Sequence, residues 1–163
     1  MHAGGFEEES ASSDTFAFRT GRSRETSFSK DFDEIAELLE YEKDHGKVVW
    51  VLGPAFAFDP KARAALAALI DNGYADAVLA GNALATHDIE GAYLGTALGQ
   101  NIHTQENVHN GHYNHLETLN QVRRAGSIPQ FLKDNNIEEG IMAAIIRHNI
   151  PFVLTSSIRD DGP

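Results

Sequence analysis

Between Val48 and Asn82 the chain reads strand, turn, helix, glycine, strand, and nothing else in the sequence narrows the possible folds as much. Val48-Val49-Trp50-Val51-Leu52 is a continuous apolar run, the pattern of a strand buried on both faces. It stops at Gly53-Pro54. A helix is expected over 60–72, with Pro60 near its first position, Ala64, Leu66, Ala67 and Ile70 facing inward, and Asn72-Gly73 closing it. Ala75–Ala80 is a second short run, ending at Gly81-Asn82. Two strands joined through one helix in so short a span form a βαβ unit, so they should lie parallel and adjacent with a right-handed crossover.

The remaining pattern extends this unit. Asp31 or Asp33 can open a helix over 33–44, where Ile35, Leu38, Leu39 and Glu42 follow i, i+3, i+4, i+7 spacing, and Gly46 ends it. Residues 83–98 are helical in composition, although Gly91 and Gly95 weaken an isolated helix by about 1 kcal/mol each. Residues 100–114 read as a polar loop, 115–125 and 138–148 as helices, and Ile150–Leu154 as a third buried strand followed by Thr155-Ser156-Ser157. The fold class is therefore α/β, a mainly parallel sheet flanked by helices. Residues 1–30, with Glu7-Glu8-Glu9 and no apolar period, form an acidic, polar lead segment, and 31–163 form the folded part.

Composition removes several function classes. The chain has 163 residues, 42% of them hydrophobic, which suits one domain and is too apolar for wholesale disorder. No apolar run approaches the ~20 residues a membrane-spanning helix needs, so no membrane partner is expected. With 13 Lys and Arg against 24 Asp and Glu, the net charge is −11, which argues against a nucleic-acid partner held through phosphates. The absence of Cys excludes disulfides, thiolate catalysis and Cys-based zinc or iron–sulfur sites, and fits a cytoplasmic location.

Ligands of open parallel sheets bind beyond the carboxyl ends of the strands. Those ends here are Gly53-Pro54-Ala55, Gly81-Asn82-Ala83 and Thr155-Ser156-Ser157, all small or polar. Glycine lets backbone approach a phosphate, and the amides of a following helix can bind the anion; the same residues also serve as ordinary turns. Neither a Gly-x-Gly-x-x-Gly nor a Walker-type loop is present. Just past the second end lies Thr86-His87-Asp88-Ile89-Glu90. Asp88 can act there as general base or hydroxyl acceptor and His87 as proton carrier, or both can simply serve the start of a helix. At the other end of the chain, Arg159 beside Asp160 and Asp161 suits the grip of an amino acid, Arg on its carboxylate and Asp on its amine; Asp160-Asp161-Gly162-Pro163 is also good turn chemistry. His109, His112 and His115 recur every third residue near His103. That spacing drifts around a helix and Asn110-Gly111 favours a turn, so a substrate-facing loop or ordinary surface histidines are the better readings and no metal is expected.

Four stretches carry a specific resemblance: Val51-Leu52-Gly53-Pro54-Ala55, Gly81 through Glu90 (Gly-Asn-Ala-Leu-Ala-Thr-His-Asp-Ile-Glu), Leu94-Gly95-Thr96-Ala97-Leu98-Gly99, and Ser157-Ile158-Arg159-Asp160-Asp161-Gly162-Pro163. Over residues 30–163 the chain resembles the C-terminal catalytic region of the ornithine cyclodeaminases of archaea and of cyanobacterial enzymes that fuse it to an arginine dihydrolase. Members were formerly labelled a conserved region of lysine-oxoglutarate reductase/saccharopine dehydrogenase bifunctional enzymes. The resemblance implies a deoxyhypusine-synthase-like NAD-binding fold, NAD as cofactor, and conversion of L-ornithine to L-proline and ammonia by hydride borrowing. It places Gly53, Pro54, Gly81, Asn82, Ser156 and Ser157 along the cofactor, and Asp88, Arg159, Asp160 and Asp161 at substrate or proton transfer. An amino-acid dehydrogenase of the lysine/saccharopine type, or a non-catalytic nucleotide-binding or assembly module, are the alternatives. In the family the Ile-Arg-Asp-Asp-Gly-Pro block lies inside the catalytic region, so this chain is expected to be its first part, a fragment completed by a homo-oligomer or by a complementing chain.

Overall fold

Residues 29–156 are described by the structure, a computed structural model. The chain divides into two units, 1–38 and 39–163. Helix α1, Ser29–His45, runs across that division and starts earlier than the 33–44 pattern predicts, so Asp31 lies in its first turn instead of capping it. The lead segment before Ser29 is outside the described residues.

The second unit begins with the βαβ core. Strand β1 (Val49–Leu52) is followed by a single helical turn, α2 (Ala55–Phe58), and then by α3 (Pro60–Asp71). The start of α3 is fixed by Asp59, whose carboxylate accepts from the Lys61 and Ala62 amides at 2.8 and 3.3 Å, with Pro60 supplying a preset φ in the first turn. Strand β2 (Ala77–Gly81) pairs with β1 in parallel, Val49 against Ala77 through Leu52 against Ala80. The junction before both strands is tied by Asp76, which accepts from Lys47 Nζ at 2.7 Å and from the Val48 amide at 2.8 Å.

Helix α4 (Asn82–Leu94) leaves β2 without a loop and closes on Gly95 at φ +68°, a left-handed cap that glycine adopts without strain. The helical reading of 83–98 therefore overshoots. Thr96–Ala97 (β3) and Gln100–Asn101 (β4) form a small antiparallel hairpin, and the expected loop over 100–114 contains that second strand and a 3-10 turn at Gly111–Tyr113. Helix α5 (Asn114–Ala125) agrees with expectation. Helix α6 (Ile128–Asp134), with Ser127 capping it by accepting from the Gln130 amide, has no counterpart in the sequence reading. Helix α7 (Ile141–Arg147) is shorter than the 138–148 pattern, and β5 (Phe152–Thr155) completes the sheet in the order β1-β2-β5, all parallel.

That order moves in one direction across the sheet. Right-handed crossovers that advance the same way put their helices on the same face, and the burial pattern agrees. Trp50 and Leu52, Val78 and Ala80, Phe152 and Leu154 pack with Leu66, Ile70, Leu84, Ile89, Phe131, Ile141, Met142 and Ile145 in one core. Each fully buried aliphatic chain there contributes about 1.5–3 kcal/mol relative to exposure. On the opposite face Val49, Val51, Leu79 and Val153 stand 49, 76, 43 and 53% exposed. The expectation that these strands are buried on both faces is corrected for the described residues, which cover only one face. The inward face of α3 also differs, with Ala64 exposed and Arg63 buried.

Candidate functional site

The sheet register gathers the three strand ends on one rim. Leu52 faces Ala80 and Gly81 faces Thr155, so Gly53, Asn82 and Ser156 each lie one step beyond a paired position on neighbouring strands. The Thr155 hydroxyl donates to the Ala80 carbonyl at 3.3 Å and fastens the β5 side. Gly53, Pro54 and Ser156 are exposed, and Gly81 and Asn82 half-buried. A Cβ at Gly53 would meet nothing within 4 Å, and one at Gly81 would make only ordinary contact with the Thr155 carbonyl. Neither glycine is demanded by packing within the chain; both leave room along the rim. Ser157, Arg159, Asp160 and Asp161 lie outside the described residues.

Asn82 carries an unusual burden. Its Oδ1 is buried with no hydrogen-bond partner among the described residues, a state that costs about 1–3 kcal/mol. The residue lines a cavity of about 290 Å³ between α4, α5, α6 and the end of β5, with Ala85, Thr86, Ile89, Leu119, Val122, Arg123 and Leu154 among its walls. The cavity is mostly apolar, with Asn82 at the rim and the Arg123 side chain as its cation, a composition suited to a planar ring attached to an anionic group.

Asp88 takes a position that the sequence reading did not foresee. It is 1% exposed. Its Oδ1 accepts from Arg63 Nε at 2.6 Å and from the Ile141 amide at 3.0 Å, and its Oδ2 accepts from the Met142 amide at 2.7 Å. Arg63 also donates to the Asp88 and Glu139 carbonyls. Asp88 thus caps a helix, but the helix is α7, more than fifty residues away, and not its own. It enters the candidate site as a residue that holds α3, α4 and α7 together beneath the rim.

Two residues on α4 form a second polar group. Glu90, 1% exposed, stands 3.0 Å from His87 Nδ1 through Oε2 and accepts from Thr96 Oγ1 at 2.7 Å through Oε1. The His87 ring meets Phe58 edge-on at 4.9 Å between centroids. Phe58 and the adjacent Asp59 and Lys61 line a more open cleft of about 560 Å³ that follows β1 and reaches Ile102 and His103. Sequence reasoning named His87 but missed Glu90 as its partner; the available signal was a carboxylate three residues after a histidine within a helix.

The four loop histidines separate. His103, His109 and His112 are exposed and His115 half-buried, and among the described residues no group of three or more His, Asp or Glu side chains gathers as a metal ion would need. Among the described residues no helix is long and apolar enough to cross a membrane.

A family model for the C-terminal Rossmann fold of ArgZ-like arginine dihydrolases matches residues 33–163. The ornithine cyclodeaminase of Methanopyrus kandleri is 45% identical over 129 residues, covering 79% of this chain and 31% of that protein. Among solved structures, the ternary complex of AgrE with ornithine and NAD+ superposes with a TM-score of 0.77 at 39% identity, covering 86% of this chain and 21% of that one. A LOR/SDH protein from Methanococcus maripaludis superposes at 0.76 and 42% identity, covering 86% of this chain and 44% of the other. The chain spans about a third of the length of the curated cyclodeaminase it matches. The α/β sheet with helices, the strand-end rim and the match over 33–163 agree: the chain belongs to the family of ArgZ-like C-terminal Rossmann-fold domains.

Proposed function

We propose that this chain forms the cofactor-binding part of an NAD-dependent ornithine cyclodeaminase, which converts L-ornithine to L-proline and ammonia. The observation that carries the reading is the rim itself: three small or polar strand ends side by side, next to a cavity lined in part by Asn82, whose buried amide oxygen has no hydrogen-bond partner among the described residues. An orphaned Oδ1 at such a place is accounted for if a ligand supplies the missing donor. The carboxamide of NAD, or its ribose hydroxyls, are donors of that kind, so the residues present fit the group.

In this reading Gly53, Pro54, Gly81, Asn82, Ser156 and Ser157 hold NAD along the rim. NAD, when bound, supplies a reversible hydride acceptor, so that substrate is oxidised and the cyclised product reduced with no net redox change. The chain's own residues orient and exclude. Glycines 53 and 81 admit backbone approach, the apolar walls of the 290 Å³ cavity keep water from a bound ring, and Arg123 offers charge to a phosphate. Arg159 grips the substrate carboxylate, and Asp160 and Asp161 its amines. Asp88 serves as a positioning residue through Arg63 and the first turn of α7.

The catalytic unit is completed by more polypeptide, a second copy or a complementing chain in the cytoplasm. The apolar sheet face that the described residues leave exposed supports this, because parallel sheets are stable when both faces are covered. The test is ornithine-dependent ammonia release with NAD by the chain together with its complement. Release without NADH accumulation is expected. Stoichiometric NADH would turn the reading to an amino-acid dehydrogenase, and no NAD binding at all would leave an assembly module.

A further inference from the structure

Glu90 occupies a position where an apolar side chain would pack at no electrostatic cost, in the middle of α4 and 1% exposed. What it receives in return is a chain of hydrogen bonds. Asn114 Nδ2 donates to Thr96 Oγ1 at 2.8 Å, Thr96 Oγ1 donates to Glu90 Oε1 at 2.7 Å, and Glu90 Oε2 meets His87 Nδ1 at 3.0 Å. A carboxylate has no proton to give, so both of its partners must donate. With Glu90 as the carboxylate and a neutral ring, the network puts the His87 proton on Nδ1 and leaves the lone pair on Nε2. Phe58, which lines the cleft of about 560 Å³, meets the ring edge-on, the His115 ring stands 6.3 Å away between centroids, and His87 keeps 14% of its side chain exposed.

We propose that His87, with its Nδ1 proton fixed by the buried Glu90 carboxylate, is the group that takes and returns the proton of a substrate amine bound against the second turn of α4. The proposal rests on the functional reading above and adds to it the acid–base residue. The step balances without a further reactant: Nε2 accepts one proton from a substrate ammonium, leaving the neutral amine and an imidazolium, and the imidazolium later returns that proton to ammonia as it departs. Glu90 faces the resulting positive charge across 3.0 Å, and Thr96 and Asn114 hold Glu90 in place while it does so.

The 163-residue chain, labelled with 15N-histidine, decides the geometry. Long-range proton–nitrogen correlations are expected to place the His87 proton on Nδ1, to show a shift toward the Nε2–H tautomer in Glu90→Gln, and to show the Nε2 resonance displaced on addition of L-ornithine. In the completed enzyme His87→Asn, which keeps an N–H aimed at Glu90 but has no second nitrogen, should lower kcat by about 10²–10⁴-fold with KM little changed. Imidazole should restore part of the rate to His87→Ala, a rescue that a purely structural histidine would not show. An Nε2–H tautomer in the unaltered chain, an Nε2 resonance indifferent to ornithine, or an undiminished kcat in His87→Asn overturns the proposal. If the unaltered complex releases no ammonia while ornithine still displaces Nε2, the cyclodeaminase reading fails and the proton carrier stands.

Discussion

Gly140 and Asp88 stand so close that no side chain fits between them: a Cβ at Gly140 would lie 2.9 and 3.0 Å from the two Asp88 carboxylate oxygens and closer still to the Arg63 guanidinium. The backbone there is at φ +105°, which favours glycine independently of space. Gly140→Ala is thus expected to destabilise the chain by more than about 2 kcal/mol, through strain and the displaced ion pair together. Asp88→Asn keeps the shape but leaves Arg63 buried without its charge, and should cost about 3–5 kcal/mol. Urea unfolding of the two variants checks both figures; losses under about 1 kcal/mol would mean that this knot does not hold the helices.

Acid should release a different tie. The Asp76 carboxyl is held below its ordinary value, first by the hydrogen bond from Lys47, then by the Val48 amide and the Lys47 charge, with desolvation opposing. A group whose value is depressed on folding stabilises the fold above its unfolded value, and that contribution drains as pH falls through the folded one. The window therefore lies below about pH 4. A carbon-detected titration of Asp76 should give a midpoint under the model-peptide value, and Lys47→Met should move it upward. An unmoved midpoint in Lys47→Met would take Lys47 out of the account.

The sheet face that the described residues leave exposed predicts association. Val51 and Val153, 76 and 53% exposed, flank Leu79 on one face, and an exposed apolar stripe on a sheet whose edge strands have no partner strand among the described residues favours contact with further polypeptide. Val51→Lys combined with Val153→Lys should weaken self-association or binding of a complementing chain by at least about tenfold, or 1.4 kcal/mol, with the far-ultraviolet circular dichroism unchanged. Sedimentation velocity measures it. Equal sedimentation of the double variant and the unaltered chain would remove this face from assembly.

How much of this was legible in the sequence follows from which contacts are local. The βαβ core could be read because continuous apolar runs, Pro60, Asn72 and Gly73 act within a few residues. Helix α2 has four residues and α6 seven, too short for a period to declare itself. The continuous run Val48–Leu52 is the signature of a strand covered twice; the apolar residues at 49, 51, 79 and 153 are present, and among the described residues nothing covers them. The rim could be read because strand ends follow from the strands. The partners of Asp88 and Glu90 could not, since Arg63, Ile141, Met142, Thr96 and Asn114 reach them only through tertiary folding.

Asn82 separates stability from binding. Its buried Oδ1 lacks a partner among the described residues, which leaves a desolvation cost of about 1–3 kcal/mol that a ligand can offset. Replacing the side chain removes both the cost and the recognition. Asn82→Ala is therefore expected to melt at the same temperature as the unaltered chain or higher, while its NAD affinity falls by about 1–3 kcal/mol, between roughly fivefold and 150-fold. Opposite signs in the two measurements are the mark of a residue kept for a ligand at the expense of the fold. Calorimetric NAD titration and a thermal melt of the same preparation give both. A variant that loses stability and keeps its NAD affinity would show that Asn82 is an ordinary member of the first turn of α4, and the orphaned oxygen would then say nothing about the cofactor.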